Sequence, residues 1–188
     1  MMSRSKLIPV ALVAALAFAG GALALQDAWK RQYLGKSAFS LNLPGKIVST
    51  GETKVEDKDD WVLTTDDYTY ENDDFFILIS VFHGKPGTTA TEKHLTQVAK
   101  DLVTGISENE DSVKEMGRKV GKLDEKMIIT QSHVLGKGEQ SSLFKSFLLG
   151  DGQDVYAVMA VGYPSDPKSV AGIDKVFASI RYKAGLKE

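Results

Sequence analysis

The stretch from residue 140 to residue 164 constrains the fold most, because two long apolar runs flank a turn signal there. The first run reads SLFKSFLL and the second reads DVYAVMAVGYP, with Asp151-Gly152 between them. An Asp-Gly pair between such runs is a strong sign of a β-hairpin. A two-residue loop at 151–152 and a four-residue loop at 150–153 predict the same register. Three cross-strand pairs follow from it: Leu149 with Asp154, Phe144 with Met159, and Phe147 with Tyr156.

Both faces of this predicted hairpin are apolar. One face carries Phe144, Leu148, Val155, Met159 and Val161, with the small Ser146 and Ala157 between them. The other face carries Leu143, Phe147, Tyr156, Val158 and Ala160, and Lys145 interrupts it. A hairpin that is apolar on both faces is predicted to lie at the centre of a sheet, covered above and below.

The first 24 residues have the pattern of a secretory signal peptide. Arg4 and Lys6 precede an apolar run from Leu7 to Gly21, and Ala22-Leu23-Ala24 has the small-x-small form of a cleavage site. Cleavage after Ala24 predicts a secreted or periplasmic protein that begins at Leu25. The alternative is an N-terminal membrane anchor, because residues 7–25 contain no charge and are long enough to span a bilayer.

Composition excludes several kinds of chemistry. The chain has no cysteine, which excludes disulfides, thiol catalysis, thiolate metal sites and a lipoprotein anchor. Loss of the signal would reduce the basic residues from 23 to 21 against 25 acidic ones, for a net charge of −4. This mildly acidic balance argues against nucleic acid and against anionic membrane surfaces as partners.

The rest of the chain predicts further strands. Alternating or apolar runs indicate five of them: Ala38–Leu43, Ile47–Val55, Trp61–Tyr70, Phe75–Phe82 and Lys126–Val134. Residues 26–35 fit either one helical turn or an edge strand. The polar segment from Glu108 to Leu123 predicts at most a short strand near Val113–Met116.

Two helices are predicted to cover the sheet. Thr89 and Glu92 have the spacing of a capping box, and an apolar stripe follows at helical spacing: Leu95, Val98, Ala99, Leu102, Val103 and Ile106. Ser165 or Asp166 can cap a second helix that has Pro167 in its first turn. Its stripe is Val170, Ile173, Phe177 and Ile180, with Val176 at the edge. The pattern predicts an α+β fold, a mostly antiparallel sheet flanked by helices.

We expect four segments along the chain. They are a signal peptide at 1–24, a lead-in at 25–36, a single α+β domain at 37–182 and a polar tail at 183–188.

The core and turn residues resemble those of the PsbP-like domains. The resemblance lies in the opening FSLNLPG of residues 39–45, the helix Glu92–Ile106, the strand run ending at Tyr163-Pro164 and the closing FASIR of residues 177–181. It covers about residues 37–182 and implies an α/β/α sandwich. That fold is shared by photosystem II extrinsic proteins, a nuclear Ran-binding relative and DcrB-like envelope lipoproteins. The resemblance implies a non-catalytic binding or assembly role, and it transfers no site residue.

Histidine chemistry is weakly supported by the sequence. His83, His94 and His133 are predicted to be surface or strand-end residues, and none has a second histidine three or four positions away. A serine hydrolase elbow of the form G-x-S-x-G is missing. A hydrolase site assembled from separated Ser, His and Asp residues stays open as an alternative.

The chain has two charged regions that are candidate ligand sites, one basic cluster and one acidic stretch. The basic residues Lys114, Arg118, Lys119, Lys122 and Lys126 are interpreted as a solvated loop rather than an anion-docking surface. The glycines at 117 and 121 have the wrong spacing for a phosphate-binding loop. In the acidic stretch Glu52–Asp74, five residues are weak candidates for calcium: Asp57, Asp59, Asp60, Asp73 and Asp74. We favour dispersed turn charges, which keep sheet edges from pairing.

The sequence therefore predicts a secreted or periplasmic, non-catalytic domain that binds or helps to assemble another envelope component, a protein. It predicts no cofactor, no nucleic-acid partner and no stable membrane anchor after signal cleavage.

Overall fold

The computed structural model of the chain describes residues 29–34, 38–55, 61–108, 110, 112–138 and 141–182. The predicted signal peptide at 1–24 and the predicted tail at 183–188 lie outside this part. Ten strands and two helices occur within it. In chain order they are β1 Lys30–Tyr33, β2 Phe39–Leu43, β3 Val48–Lys54, β4 Val62–Glu71, β5 Phe75–Gly84, α1 Glu92–Ser107, β6 Val113–Leu123, β7 Lys126–Leu135, β8 Ser142–Asp151, β9 Asp154–Gly162, α2 Pro167–Ala178 and β10 Arg181–Tyr182.

The strands of the described part form eight antiparallel pairs, which make up two sheets. The large sheet has the strand order β3-β4-β5-β9-β8-β7-β6, and the small sheet has the order β1-β2-β10. Strands β8 and β9 form the predicted hairpin, and β9 is the middle strand of the seven. The sheet-dominated α+β class and the central position of the hairpin are therefore confirmed.

The predicted register of the central hairpin is wrong, whereas its predicted faces are right. Leu149 lies opposite Tyr156, Phe147 opposite Val158 and Phe144 opposite Val161. The reason is the turn, which uses Gly152-Gln153 instead of Asp151-Gly152. Gly152 has a φ of +59°, which suits the first central position of a type II′ turn. Moving the turn by one residue moves each partner by two, so every side chain keeps its face.

Helix α1 covers one face of the large sheet. Its stripe residues Leu95, Val98 and Ala99 are buried against Ile129, Leu148, Val155 and Ala157 of strands β7 to β9. Its N-cap differs from the prediction: Thr91, not Thr89, is the cap, and its side chain accepts a hydrogen bond from the His94 backbone N–H. The reciprocal partner is the ring of His94 rather than Glu92. The capping box therefore lies two residues later than predicted.

Helix α2 and the small sheet cover the opposite face. Ile173 and Val176 of α2 share a core cluster with Phe147 and Val158 of the hairpin and with Leu41 of β2. Asp166 caps α2, with Pro167 in its first turn, as predicted. One helix thus lies on each face, but a second sheet lies beside α2. The α/β/α sandwich is confirmed only in part.

The small sheet uses residues that the sequence left undecided. Residues 30–33 of the predicted lead-in form β1, which pairs with β2, and Arg181–Tyr182 forms β10 on the other side of β2. Arg31 donates a hydrogen bond to the Ser179 carbonyl oxygen at 2.8 Å, and the Lys175 ammonium lies 4.1 Å from the Trp29 ring centroid. These contacts tie β1 to the end of α2.

Neither helix in the described part of the chain has the length and apolar character needed to cross a membrane.

Candidate functional site

A histidine bridges two carboxylates on the α2 side of the large sheet. His83 Nδ1 lies 3.3 Å from Asp154 Oδ1, and His83 Nε2 lies 3.2 Å from Asp66 Oδ2. These residues come from β5, β9 and β4, which are neighbours in the sheet. All three side chains are about one-third exposed, at 32% for His83, 35% for Asp66 and 26% for Asp154. We call this set the His83 cluster.

The His83 cluster does not have the geometry of a serine hydrolase. In such a site one ring nitrogen faces a carboxylate and the other takes a proton from the nucleophile. Both ring nitrogens of His83 face carboxylates, and both hydrogen bonds can be donated only when both nitrogens carry protons. No ring nitrogen of a histidine in the described part contacts a serine or threonine hydroxyl.

A second carboxylate lies next to the His83 cluster in sequence but on the opposite face. Asp67 accepts a hydrogen bond from the Ser80 hydroxyl at 2.5 Å on the α1 side. Burial raises the pKa of Asp67 above its usual value. The hydrogen bond from Ser80 lowers this pKa, and the charge of Asp66 raises it further. Because successive strand residues point to opposite faces, Ser80 and Asp67 cannot join His83 in one site.

A third polar group joins the hairpin turn to the small sheet. Lys126 Nζ lies 2.6 Å from Asp151 Oδ1, and the Tyr182 hydroxyl donates to Asp151 Oδ2. Burial opposes ionisation of Asp151, but the hydrogen bonds from Lys126 and Tyr182 and the Lys126 charge hold its pKa below the usual value. Burial and the same carboxylate raise the pKa of Tyr182, so its hydroxyl stays a donor. This group fastens β10 to the large sheet.

We expect Asp151→Asn to lower the free energy of unfolding by about 1–2 kcal/mol at pH 7, since two charge-assisted hydrogen bonds at a partly exposed site are weakened. The pKa of Asp151 is lower in the folded chain than in the unfolded chain. Its contribution is therefore present above the unfolded pKa of about 3.9 and is lost as the pH falls through the folded value. Urea unfolding at pH 7 and pH 3 should show a smaller difference at pH 3.

The control for this prediction is Glu125→Gln. Glu125 lies 3.6 Å from Lys122, but its side chain is 92% exposed, so we expect a change within about 0.5 kcal/mol. An Asp151→Asn effect that equals the control, or that grows toward pH 3, would contradict the role assigned to Asp151.

Only two of the five calcium candidates, Asp73 and Asp74, lie in the described part of the chain. Asp57, Asp59 and Asp60 lie outside the described part. Asp73 is exposed and Asp74 is half-buried in a turn that the Asn72 side chain closes by accepting from the backbone N–H groups of Asp74 and Phe75. Among the described residues, no three histidine or acidic side chains form a group able to hold a metal ion.

We expect millimolar calcium and millimolar magnesium to change the melting temperature equally, to within about 1 °C, because dispersed charges respond only to screening. Thermal melts with each cation at one ionic strength provide the measurement. A rise of several degrees with calcium alone, reversed by a chelator and abolished by Asp73→Asn with Asp74→Asn, would instead reveal a site bound only in the native state.

A cavity of about 260 Å³ lies between α1, β6 and β7. Its polar lining comes from all three elements: Thr96, Lys100, Thr104, Glu115, Arg118, Gln131 and His133. We call it the α1 cavity. His133 is only 5% exposed, so the prediction of a surface position is wrong for this histidine; α1 covers its strand. Burial lowers the pKa of His133, although the charge of Glu115 opposes the shift.

Strand β6 is an edge strand that extends well beyond the short strand predicted near Val113–Met116. The interpretation of its basic residues as a solvated loop is wrong. The strand runs from Val113 to Leu123 and pairs with β7, and every residue before Leu123 is exposed. Four basic residues of the predicted cluster lie on it, whereas Lys126 begins β7 and pairs with Asp151. Three of its apolar side chains are also exposed: Val113 at 43%, Met116 at 56% and Val120 at 48%.

Neither the His83 cluster nor the α1 cavity was identified from the sequence. Asp66 and Asp154 are 17 and 71 residues from His83, and no local pattern connects them. The polar floor of the α1 cavity did leave a signal, because Gln131 and His133 lie between Ile129 and Leu135 on one face of β7. Two polar residues within an otherwise apolar face of a strand are a sequence sign of a polar floor.

The chain matches no family model and no curated protein. Among solved structures it is similar to cyanobacterial PsbP (CyanoP) from Synechocystis sp. PCC 6803, with a TM-score of 0.54 and 12% identity over 89% of this chain and 99% of that one. It is also similar to a Bacteroides thetaiotaomicron structure, with a TM-score of 0.46 and 12% identity over 84% of this chain and 49% of that one. A Pseudomonas aeruginosa protein of unknown function is similar with a TM-score of 0.41 and 10% identity, over 79% of this chain and 93% of that one. The likeness to CyanoP confirms the fold resemblance: this chain has a PsbP-like fold.

Proposed function

We propose that this chain is a non-catalytic accessory domain of the cell envelope that binds a protein partner through the edge strand β6. The observation that carries the proposal is the exposure of β6 over ten consecutive residues, together with its charge and its apolar side chains. A long exposed edge strand is a template for a further strand. Charged side chains on an edge oppose pairing with a strand of like charge, so the four basic residues of β6 restrict its partner to an acidic segment.

The two edges of the large sheet differ in a way that favours β6. Both edge strands are exposed, but β3 carries one basic residue, one acidic residue and one large exposed apolar residue, Val48. Strand β6 carries four basic residues against Glu115, and three large exposed apolar residues. A partner segment with acidic and apolar side chains complements β6 and gains nothing comparable at β3.

The absence of a suitable nucleophile at the described histidines supports a binding role over the hydrolase alternative. His83 is held between two carboxylates, His94 caps α1, and His133 faces no hydroxyl group within hydrogen-bond distance. The fold likeness to CyanoP agrees with an accessory role, as a fold-level analogy.

Site-specific photocrosslinking in the envelope fraction of the source cells tests the proposal. Val120 on β6 and Val48 on β3 are two exposed valines, at 48% and 62%, so a photoreactive residue at each gives a matched pair. We expect an adduct with one acidic-segment protein from position 120 and none from position 48. Lys119→Glu with Lys122→Glu should remove that adduct.

Two results would contradict this proposal. Equal adducts from both edges would mean that β6 has no special role, and an adduct that contains only a second copy of this chain would replace the partner by self-association. Loss of the adduct should occur without a change in melting temperature, since both lysines are exposed.

The compartment has its own test. We expect the mature protein, purified from the envelope or the medium, to begin at Leu25, because the Ala22-Leu23-Ala24 motif directs cleavage after Ala24. Intact-mass measurement provides the answer. A chain that retains residues 1–24 and fractionates with membranes would support the anchored alternative.

A further inference from the structure

Helix α1 covers only part of its side of the large sheet. The residues buried beneath it come from β7, β8 and β9, so α1 is centred over β8. On the same side, Phe76 and Leu78 of β5 and Val161 of β9 are only half-buried. By contrast, Ile77 and Ile79 on the other side of β5 are fully buried. We call the set Phe76, Leu78 and Val161 the β5 surface.

The space beside α1 has the width of one more helix. Neighbouring strands of a sheet are about 4.8 Å apart, and β9 and β5 follow β8 in the strand order, so β5 lies about 10 Å from β8. The axes of packed helices are also about 8–10 Å apart. A helix laid over β5 would therefore contact the β5 surface and α1 together. Ile106 of α1 already shares an apolar cluster with Leu78 and Val161.

The flank of α1 toward this space carries a glycine. Thr96 of α1 lines the α1 cavity on the β6 side, and Gly105 follows nine residues later, two and a half helical turns on and thus on the opposite flank. No atom lies within 4 Å of the point where a Cβ on Gly105 would be. Glycine is unfavourable inside a helix but allows another backbone to approach closely.

Acidic residues of β4 border the β5 surface on the side away from α1. Glu71 lies opposite Phe76, and Asp67 lies four residues earlier on the same face of β4, about 13 Å away. Neither carboxylate forms an ion pair with another described residue. Strands β4, β5 and β9 contain no lysine or arginine. The border is therefore negative, and a basic partner would complement it.

We propose that the β5 surface docks an amphipathic helix of a protein partner, with its apolar stripe on the β5 surface, one flank against Gly105, and two basic side chains reaching Asp67 and Glu71. Two helical turns rise about 11 Å, close to the separation of the two acidic residues. A helix is the fitting class of segment, because the backbone groups of a sheet face are already paired and the added segment must pair its own. The β5 surface is a face and β6 is an edge, so this proposal goes beyond the binding edge and either can fail alone.

Photocrosslinking with identification of the crosslinked segment tests the proposal. A benzophenone derivative of phenylalanine at position 76 keeps an aromatic side chain on the β5 surface. The control is the same derivative in place of Tyr33, an aromatic residue of the small sheet that is 59% exposed. In intact source cells we expect an adduct from position 76 whose crosslinked peptide has apolar residues at helical spacing, three and four apart, and two basic residues seven or eight apart. Position 33 should not give this peptide.

Four outcomes would overturn the proposal. They are no adduct from position 76, a crosslinked peptide without that pattern, the same peptide from position 33, and an adduct that contains only this chain. Lys119→Glu with Lys122→Glu on β6 should leave the adduct from position 76 intact. Its loss would assign the adduct to the β6 edge and would also overturn the proposal.

Matched charge variants locate the contact with the acidic border. A synthetic copy of the crosslinked peptide, carrying a fluorophore, is titrated with the purified protein and followed by fluorescence anisotropy. We expect Glu71→Lys to weaken binding about tenfold, because it places a like charge against a basic side chain. Asp73→Lys makes the same change at an exposed turn residue, and it should alter binding by no more than about twofold. Equal losses would indicate a diffuse charge effect and would contradict the assigned contact.

Gly105→Gln separates docking from stability. We expect this variant to melt at the same temperature as the wild type or higher, because glutamine favours a helix more than glycine does. The new side chain would occupy the space of the docked helix and should weaken peptide binding about tenfold. Thr104→Gln, at the exposed neighbouring residue, is the control and should bind as the wild type does. Wild-type binding by Gly105→Gln would show that no helix lies against this flank of α1 and would overturn the proposal.

Discussion

Phe147→Ala should lower the free energy of unfolding by about 3–5 kcal/mol, the range for removing a buried aromatic ring from a core. Phe147 is 6% exposed on β8 and faces the cluster formed by α2, the small sheet and the hairpin. For a domain of this size, a loss of that extent corresponds to a fall in melting temperature of roughly 10 °C. Urea and thermal unfolding, followed by circular dichroism, would measure both quantities.

Lys145→Ala is the matched control on the same strand and face. The Lys145 ammonium contacts the Asp174 carboxylate of α2, but the Asp174 side chain is 57% exposed. An exposed ion pair contributes about 0–1 kcal/mol, so Lys145→Ala should change stability far less than Phe147→Ala. Similar losses in the two variants would mean that β8 does not occupy the centre of the sheet as the structure places it.

The side-chain faces of the hairpin could be predicted because they depend only on the two-residue period of a strand. The register could not, because it depends on which residue of the turn adopts a positive φ. Asp151-Gly152 and Gly152-Gln153 are both acceptable turn sequences, and the glycine can stand second or first in the loop. The structure uses Gly152 in first position, with a φ of +59°, and the local sequence alone does not decide between the two.

For strand β6, the sequence does not predict most of the strand itself. Strand prediction relies on one apolar face, but β6 is exposed on both faces from Val113 to Lys122, so no apolar alternation exists to be read. What holds it is the backbone pairing with β7, including the Asp124-Glu125 turn, in which both residues have positive φ. The exposure that limited the sequence prediction to a short strand near Val113–Met116 is also the property that suggests a binding edge.

The pairing of β1 and β10 with β2 in the small sheet is the part of the fold that short stretches of sequence indicate least. Strands β1 and β10 have four and two residues, and their partner β2 is more than 130 residues from β10 in the chain. Long-range pairs of this kind are not encoded in any window of sequence. The buried residues of β2 were nevertheless predicted as a strand, because Phe39, Leu41 and Leu43 alternate.

Phe39→Ala should show how strongly the small sheet is joined to the large one, with an expected loss of about 3–5 kcal/mol. Phe39 is fully buried, and its ring stacks on Tyr156 at 5.3 Å between centroids and lies 6.2 Å from Phe147. Removing it leaves a void between the two sheets that the surrounding backbone can close only in part. Denaturant unfolding of the variant provides the measurement.

Tyr33→Ala is the control, because Tyr33 is an aromatic residue of the same small sheet that is 59% exposed; we expect a change within about 0.5 kcal/mol. The double variant Phe39→Ala with Phe147→Ala should lose less than the sum of the single losses, by about 1 kcal/mol, since the two rings contact each other. Strict additivity, or a loss below about 1 kcal/mol for Phe39→Ala, would place the small sheet away from the hairpin and contradict the packing described above.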